Sequence, residues 1–143
     1  MKLQPAALLF DVDGTLTDAR QPISKDVASA ICALPNSIKK HIVSGSDMYK
    51  VEEQLSTPLL LNQFDKVYAC NGTRVWNCNL DMDDETGAIE PELIHKVSLM
   101  DYYSEGDINH IVNILLKIAH DTHTKIKTGT FIEWRDSQIN FSV

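Results

Sequence analysis

The chain is short of basic side chains, of long apolar runs and of paired cysteines, and each shortage removes a class of function. Thirteen Lys and Arg stand against 20 Asp and Glu in 143 residues, a formal net charge of −7. No basic run breaks that balance, so the net field repels phosphate backbones and the sequence predicts no nucleic-acid partner. An anionic substrate would need a local cationic pocket. No apolar stretch approaches the roughly 18 residues of a membrane span, and the short apolar run after Met1-Lys2-Leu3-Gln4-Pro5 is too brief for a secretory signal. These patterns predict no membrane partner and a cytosolic location. Cys32, Cys70 and Cys78 are odd in number and lack CxxC spacing, which excludes a zinc site or a disulfide framework and predicts reduced, mostly buried thiols. Disulfides are not needed, because a chain of about 150 residues buries roughly 68–70% of its unfolded surface. The length is room for about one domain or one and a half, at about 100–200 residues per domain.

What is present alternates between strand and helix signals. Ala6-Ala7-Leu8-Leu9-Phe10 is a continuous apolar run, the pattern of a strand buried on both faces of a parallel sheet, and Asp11 follows at its carboxyl end. Ser24 is placed to cap a helix with Val27, Ala28, Ile31 and Leu34 at helical spacing, closed by Pro35-Asn36. Lys40-His41-Ile42-Val43 reads as a second strand ending in Ser44-Gly45-Ser46-Asp47. A helix is expected over 47–55, and a third strand over 64–70 that finishes at Asn71-Gly72. Strand, helix, strand, helix, strand predicts a parallel α/β core over residues 1–80 with its ligand site at the strand carboxyl ends.

The composition changes after Leu80. Asp81-Met82-Asp83-Asp84-Glu85-Thr86-Gly87 is acidic and turn-like, fails the glycine and glutamate spacing of a calcium loop, and reads as a solvated crossing into a second unit over 81–143. There, Ser104 and Asp107 have capping-box spacing ahead of a stripe of Ile108, Ile111, Val112, Leu115, Ile118 and Ala119 that core packing would explain. Residues 131–135 and 138–143 predict two strands around an Asp136-Ser137 turn, giving an α+β pattern. Ile139, Phe141 and Val143 still alternate where the sequence stops, the pattern expected of a piece of a longer product.

The chemistry concentrates in Phe10-Asp11-Val12-Asp13-Gly14-Thr15-Leu16-Thr17. Two carboxylates two residues apart on a loop leaving a strand can share a cation and divide their work: one attacks phosphorus, the other handles a proton. Gly14 permits a tight turn, and the backbone amides after it can hold phosphate oxygens. The five histidines, His41, His95, His110, His120 and His123, share no metal spacing. Asn71-Gly72 is first a turn signal, with a role in closing the site as the alternative.

An apolar strand followed by DxDGT resembles the first signature of the haloacid-dehalogenase superfamily of phosphoryl-transfer enzymes. Within it, the string from Asp11 to Gln21, Ser44-Gly45-Ser46-Asp47, Glu53-Gln54-Leu55, Phe64-Asp65-Lys66-Val67, Asn71-Gly72-Thr73 and Gly129-Thr130-Phe131-Ile132-Glu133-Trp134-Arg135 are similar in order and spacing to the eukaryotic-type phosphomannomutases. The resemblance implies an incomplete core of the haloacid-dehalogenase type followed by a partial α+β cap. It implies interconversion of mannose 6-phosphate and mannose 1-phosphate through an aspartyl-phosphate and a hexose bisphosphate, for GDP-mannose synthesis.

By the same resemblance Asp11 is the nucleophile and a Mg²⁺ ligand, and Asp13 is the general acid and base with its backbone carbonyl on the metal. Arg20 matches a core arginine near sugar and phosphate, and Arg135 a cap arginine that grips the distal phosphate; a guanidinium suits both, since its fork holds phosphate oxygens in pairs. Ser44 and Ser46 lie where a second phosphate-binding hydroxyl belongs, the family usually showing glycine at the position of Ser44. Phe131 matches a position at a cap dimer interface, which implies a homodimer. The family pattern continues with further cap arginines, a lysine and another metal ligand that these residues do not include. Two other readings stand beside the mutase: a sugar-phosphate phosphatase of the same superfamily, in which water releases the phosphoryl group, and a truncated non-catalytic chain.

Overall fold

The computed structural model describes residues 7–80, 90–123 and 129–142, which form two compact units, Met1–Lys96 and Val97–Val143. In the first unit, strand β1 (Ala7–Phe10) leads through a loop to helix α1 (Lys25–Cys32), strand β2 (Lys39–Val43), helices α2 (Met48–Leu55) and α3 (Pro58–Leu61), and strand β3 (Lys66–Ala69). Local chemistry sets these bounds. Ser24 caps α1 by accepting from the Val27 amide at 3.3 Å, and Asp47 caps α2 by accepting from the Lys50 amide at 3.1 Å. Each satisfies a donor that the first turn leaves open. Ser56 ends α2 in a left-handed conformation, and Thr57 caps α3 with Pro58 in its first turn.

β1, β2 and β3 pair in parallel, with Phe10 opposite Ile42 and Ile42 opposite Val67. This is the expected α/β core. The sheet then continues antiparallel. Cys70, Asn71 and Gly72 all have positive φ and turn the chain back into β4 (Arg74–Asn77), which pairs with β5 (Glu92–Lys96) across a register shift at Val75 and Trp76. Thus Asn71-Gly72 is a turn, as its composition predicts. A boundary was expected after Leu80; β5 instead belongs to the first sheet, and the first compact unit runs to Lys96. The acidic stretch read as a crossing, 81–87, lies outside the described residues.

The core lies on one face of this sheet. Ile42, Val67 and Ala69 pack with Ile31 of α1, Met48, Val51 and Leu55 of α2, Leu60 and Leu61 of α3, and Phe64. The reading of β1 as buried on both faces is corrected: Leu8 and Phe10 are half-buried, but Leu9 is 68% exposed and Ala7 is exposed. β1 stands at one end of the strand order, and the helices described in this unit pack on the Ile42 face. Cys70 and Cys78 are buried, and burial pushes the Cys78 thiol up to about 12, so it is inert as a nucleophile; Cys32 is exposed.

In the second unit, helix α4 (Glu105–Asp121) begins with the predicted capping box: Ser104 accepts from the Asp107 amide at 3.2 Å while Asp107 accepts from the Ser104 amide at 3.0 Å. Strands β6 (Ile132–Trp134) and β7 (Ile139–Phe141) form an antiparallel hairpin around Asp136, whose φ is 62°. Ser98 ties this turn to the start of the unit through Asp136 at 2.7 Å. Packing does not account for the whole α4 stripe: Ile108 and Ala119 are buried, whereas Ile111 and Ile118 are exposed. No helix among the described residues is long and apolar enough to cross a membrane.

Candidate active site

The loop after β1 is wound tightly around one carbonyl. Val12, fully buried, accepts at its carbonyl oxygen from the amides of Thr15, Leu16 and Thr17 and from the Thr17 hydroxyl at 3.3 Å. The Gly14 amide closes the turn on Thr17 O at 2.7 Å. Gly14 has φ +79°, which a residue with a Cβ rarely adopts, so glycine is required here. With Val12 and Leu16 anchored in the core, Asp11 and Asp13 alternate outward and both are exposed.

The two carboxylates differ in their surroundings. Asp11 has no hydrogen bond or ion pair with another described residue. Asp13 is held: its Oδ1 accepts from the Arg20 amide at 2.8 Å and from the Gln54 side-chain amide at 2.7 Å. The Arg20 amide and the Gln54 amide hold the Asp13 carboxyl below the ordinary Asp value of 3.8; burial opposes them, and the charges of Arg20 and Lys50 add to the lowering. Arg20 was predicted for its guanidinium. It is exposed, and its left-handed backbone, φ 60°, is what turns its amide onto Asp13.

Gln54 carried no assigned role in the sequence reading. It sits on α2 between Val51 and Leu55, only 6% exposed, at a position where helical spacing calls for an apolar side chain. Its signals in the sequence are a polar residue on the core stripe of a helix and its place in the Glu53-Gln54-Leu55 string.

Ser44 and Ser46 follow β2, whose parallel register with β1 puts them at the same end of the sheet as Asp11. Ser44 is buried, and its hydroxyl accepts from the Ser46 amide at 3.0 Å. The loop is stitched to the end of β3 by three backbone bonds: Ser44 N to Tyr68 O, Asn71 N to Ser44 O and Cys70 N to Ser46 O. A Cβ on Gly45 would stand 3.3 Å from the Asn71 side-chain oxygen, so the turn at Asn71 and the serine loop constrain each other. Arg135 belongs to the second unit. Its Nε and Nη2 both donate to Glu133 Oε2, at 3.0 and 2.6 Å, and its side chain is 11% exposed. It is therefore a paired cation on the β6–β7 hairpin.

The oxygens around Asp11 fit a hard divalent cation. Its carboxylate is exposed and unengaged among the described residues, and the Asp13 carbonyl accepts none of the hydrogen bonds that close the loop. Mg²⁺ commonly takes one or two carboxylates and keeps several waters, so two protein oxygens suit it. No group of three or more His, Cys, Asp or Glu side chains gathers among the described residues.

Residues 27–143 match the family model described as eukaryotic phosphomannomutase. A phosphomannomutase of Galdieria sulphuraria is 36% identical over 134 residues, covering 94% of this chain and 48% of the relative. Phosphomannomutase 1 of Homo sapiens is 33% identical over 135 residues, covering 94% of this chain and 47% of the relative. The chain thus spans about half the length of these curated relatives. A haloacid dehalogenase-like hydrolase from B. subtilis superposes with a TM-score of 0.56 at 17% identity, covering 80% of this chain and 34% of that one. At that identity the likeness speaks for the fold, which is the parallel core of the haloacid-dehalogenase type.

Proposed function

Since the chain belongs to the eukaryotic phosphomannomutase family, we propose that it supplies the phosphoryl-accepting site of a phosphomannomutase, interconverting mannose 6-phosphate and mannose 1-phosphate for GDP-mannose synthesis. The observation that carries the reading is the unlike pair on one loop: Asp11 with an unengaged carboxylate, and Asp13 tethered by two donors. Nucleophilic attack needs a free oxygen, and proton transfer needs a carboxylate held in one orientation.

In this account an Asp11 oxygen attacks the phosphorus of a hexose bisphosphate and the P–O bond to the sugar breaks. Asp13 delivers its proton to the departing sugar oxygen. A sugar monophosphate bound in the opposite sense then gives its hydroxyl proton to Asp13 and takes the phosphoryl group from Asp11. Mg²⁺, held by the Asp11 carboxylate and the Asp13 carbonyl, would offset the repulsion between phosphate and carboxylate. The Ser44 and Ser46 hydroxyls and the Arg20 guanidinium are the groups we assign to the phosphate at this end. Arg135 is assigned to the distal phosphate, with Glu133 as the partner that a phosphate must displace or share. We further assign the protein to the cytosol, as a homodimer through the cap, where Phe131 is half-buried beside β6.

The test is capture of the acyl phosphate. With Mg²⁺ and a hexose 1,6-bisphosphate, borohydride reduction should convert Asp11 to homoserine, and Asp11→Asn should show none. Labelling elsewhere, or undiminished in Asp11→Asn, overturns the assignment. Phosphorus NMR of mannose 1-phosphate turnover separates the mutase from a phosphatase, because free phosphate as the main product excludes the mutase.

A further inference from the structure

We infer that Gln54 is a positioning residue for Asp13, fixing its carboxylate so that Oδ2 alone exchanges the proton during phosphoryl transfer; the inference rests on the roles proposed above for Asp11 and Asp13. The Thr17 hydroxyl donates its only proton to Val12 O at 3.3 Å. Its oxygen is then an acceptor toward Gln54, whose Nε2 lies 3.1 Å away. That fixes which end of the Gln54 amide faces the loop, since a flipped amide would set its carbonyl oxygen against two acceptors.

With the nitrogen in place, one N–H serves Thr17 and the other reaches Asp13 Oδ1 at 2.7 Å. The Arg20 amide occupies the same oxygen at 2.8 Å. Oδ1 therefore carries two donors, while Oδ2 has no partner among the described residues. A proton on Oδ1 would collide with both donors, so the site for the transferable proton is Oδ2. The tether also spans the fold. Gln54 is 41 residues from Asp13, its backbone oxygen accepts from the Ile23 amide at 2.8 Å, and it sits between Val51 and Leu55 of the packed helix α2. The carboxylate that moves the proton is thus aimed by the core helix as well as by its own loop.

In each direction the proton count is even. As the Asp11 oxygen–phosphorus bond forms and the sugar oxygen–phosphorus bond breaks, the Oδ2 proton passes to the sugar oxygen. In the return step a sugar hydroxyl gives its proton to Oδ2 as the sugar oxygen bonds to phosphorus and the Asp11 oxygen–phosphorus bond breaks. A donor whose leaving group is already stable as an anion, such as acetyl phosphate, asks nothing of Oδ2.

That difference is the test. Rates of Asp11 phosphorylation in the presence of Mg²⁺ should be compared for the unaltered chain, Gln54→Leu and Gln54→Glu, using a hexose 1,6-bisphosphate and, separately, acetyl phosphate. Both variants should lose about 10- to 100-fold with the sugar donor while staying within about twofold with acetyl phosphate, the pattern of weakened acid catalysis. Equal losses with both donors, or no loss with either, overturn the inference. A readout independent of turnover is the Gln54 side-chain amide in ¹⁵N NMR. It should give two distinct, exchange-protected proton resonances that shift in Asp13→Ala; a solvent-like pair unmoved by that change overturns the tether. Failure of the unaltered chain to be phosphorylated by either donor counts instead against the proposed function, and with it against the role but not the hydrogen bond.

Discussion

Asp65 shows at the residue scale how one side chain can join three segments. Its Oδ1 accepts from Lys39 Nζ at 2.6 Å and its Oδ2 from the Lys40 amide at 2.9 Å, while its own backbone bonds Lys40 O and the Cys78 amide. Burial raises its carboxyl, but its contacts with Lys39, with the Lys40 amide and with the Asn79 side chain outweigh burial, and the native value lies below the ordinary 3.8. A carboxylate depressed in the folded state stabilises the fold at pH values above its unfolded pKa. That contribution is lost as pH falls through the native value. Asp65→Asn should therefore lower stability near neutrality and flatten the loss of stability on acidification below about pH 4. Urea titrations at a series of pH values check this; parallel curves for the two proteins would refute it. Lys39 is 62% exposed, so the Lys40 amide bond is the contact expected to matter more.

Elements were legible to the extent that their signals were local. The capping box at Ser104 and Asp107 and the cap at Ser24 were readable because each motif is complete within four residues. α3 and β4, four residues each, were not foreseen: neither is long enough to show a period, and β4 owes its existence to a reversal through three successive positive-φ residues. Asp11 and Asp13 could be found from a strand followed by a tight acidic loop. The hydrogen bond from Gln54 could not, because its two ends are 41 residues apart and only the packing of α2 brings them together. The fold's dependence on that packing can be measured at Phe64, fully buried and edge-on to Phe10 at 6.0 Å between ring centroids. Phe64→Ala should cost about 3–5 kcal/mol of stability by leaving a cavity in the cluster that also holds Ile42, Leu55 and Val67. By contrast, Ser104→Ala removes one cap on a solvent-exposed helix start and should cost about 1 kcal/mol. Chemical denaturation of both variants gives the comparison, and a Phe64→Ala loss no greater than that of Ser104→Ala would mean the cluster is not the stabilising core.

At the scale of the whole molecule, a sheet that the described helices of its own unit cover on one face predicts a tendency to associate. The parallel register puts Leu9 beside His41 and Val43 beside Tyr68, on the sheet face opposite Ile42 and Val67. Leu9 is 68% and Val43 39% exposed, and β1 ends the strand order with an apolar sequence that carries no charge. Parallel strands are normally covered on both faces, and an uncharged, unpaired edge is a template for another chain. Light scattering should show association that grows with protein concentration, and Leu9→Lys should shift the population toward monomer by placing a charge at that edge. An association through the cap would be indifferent to Leu9→Lys, so an unchanged dimer in the variant places the contact elsewhere. A chain that stays monomeric at every concentration would show that the bare face and edge of this sheet are not adhesive.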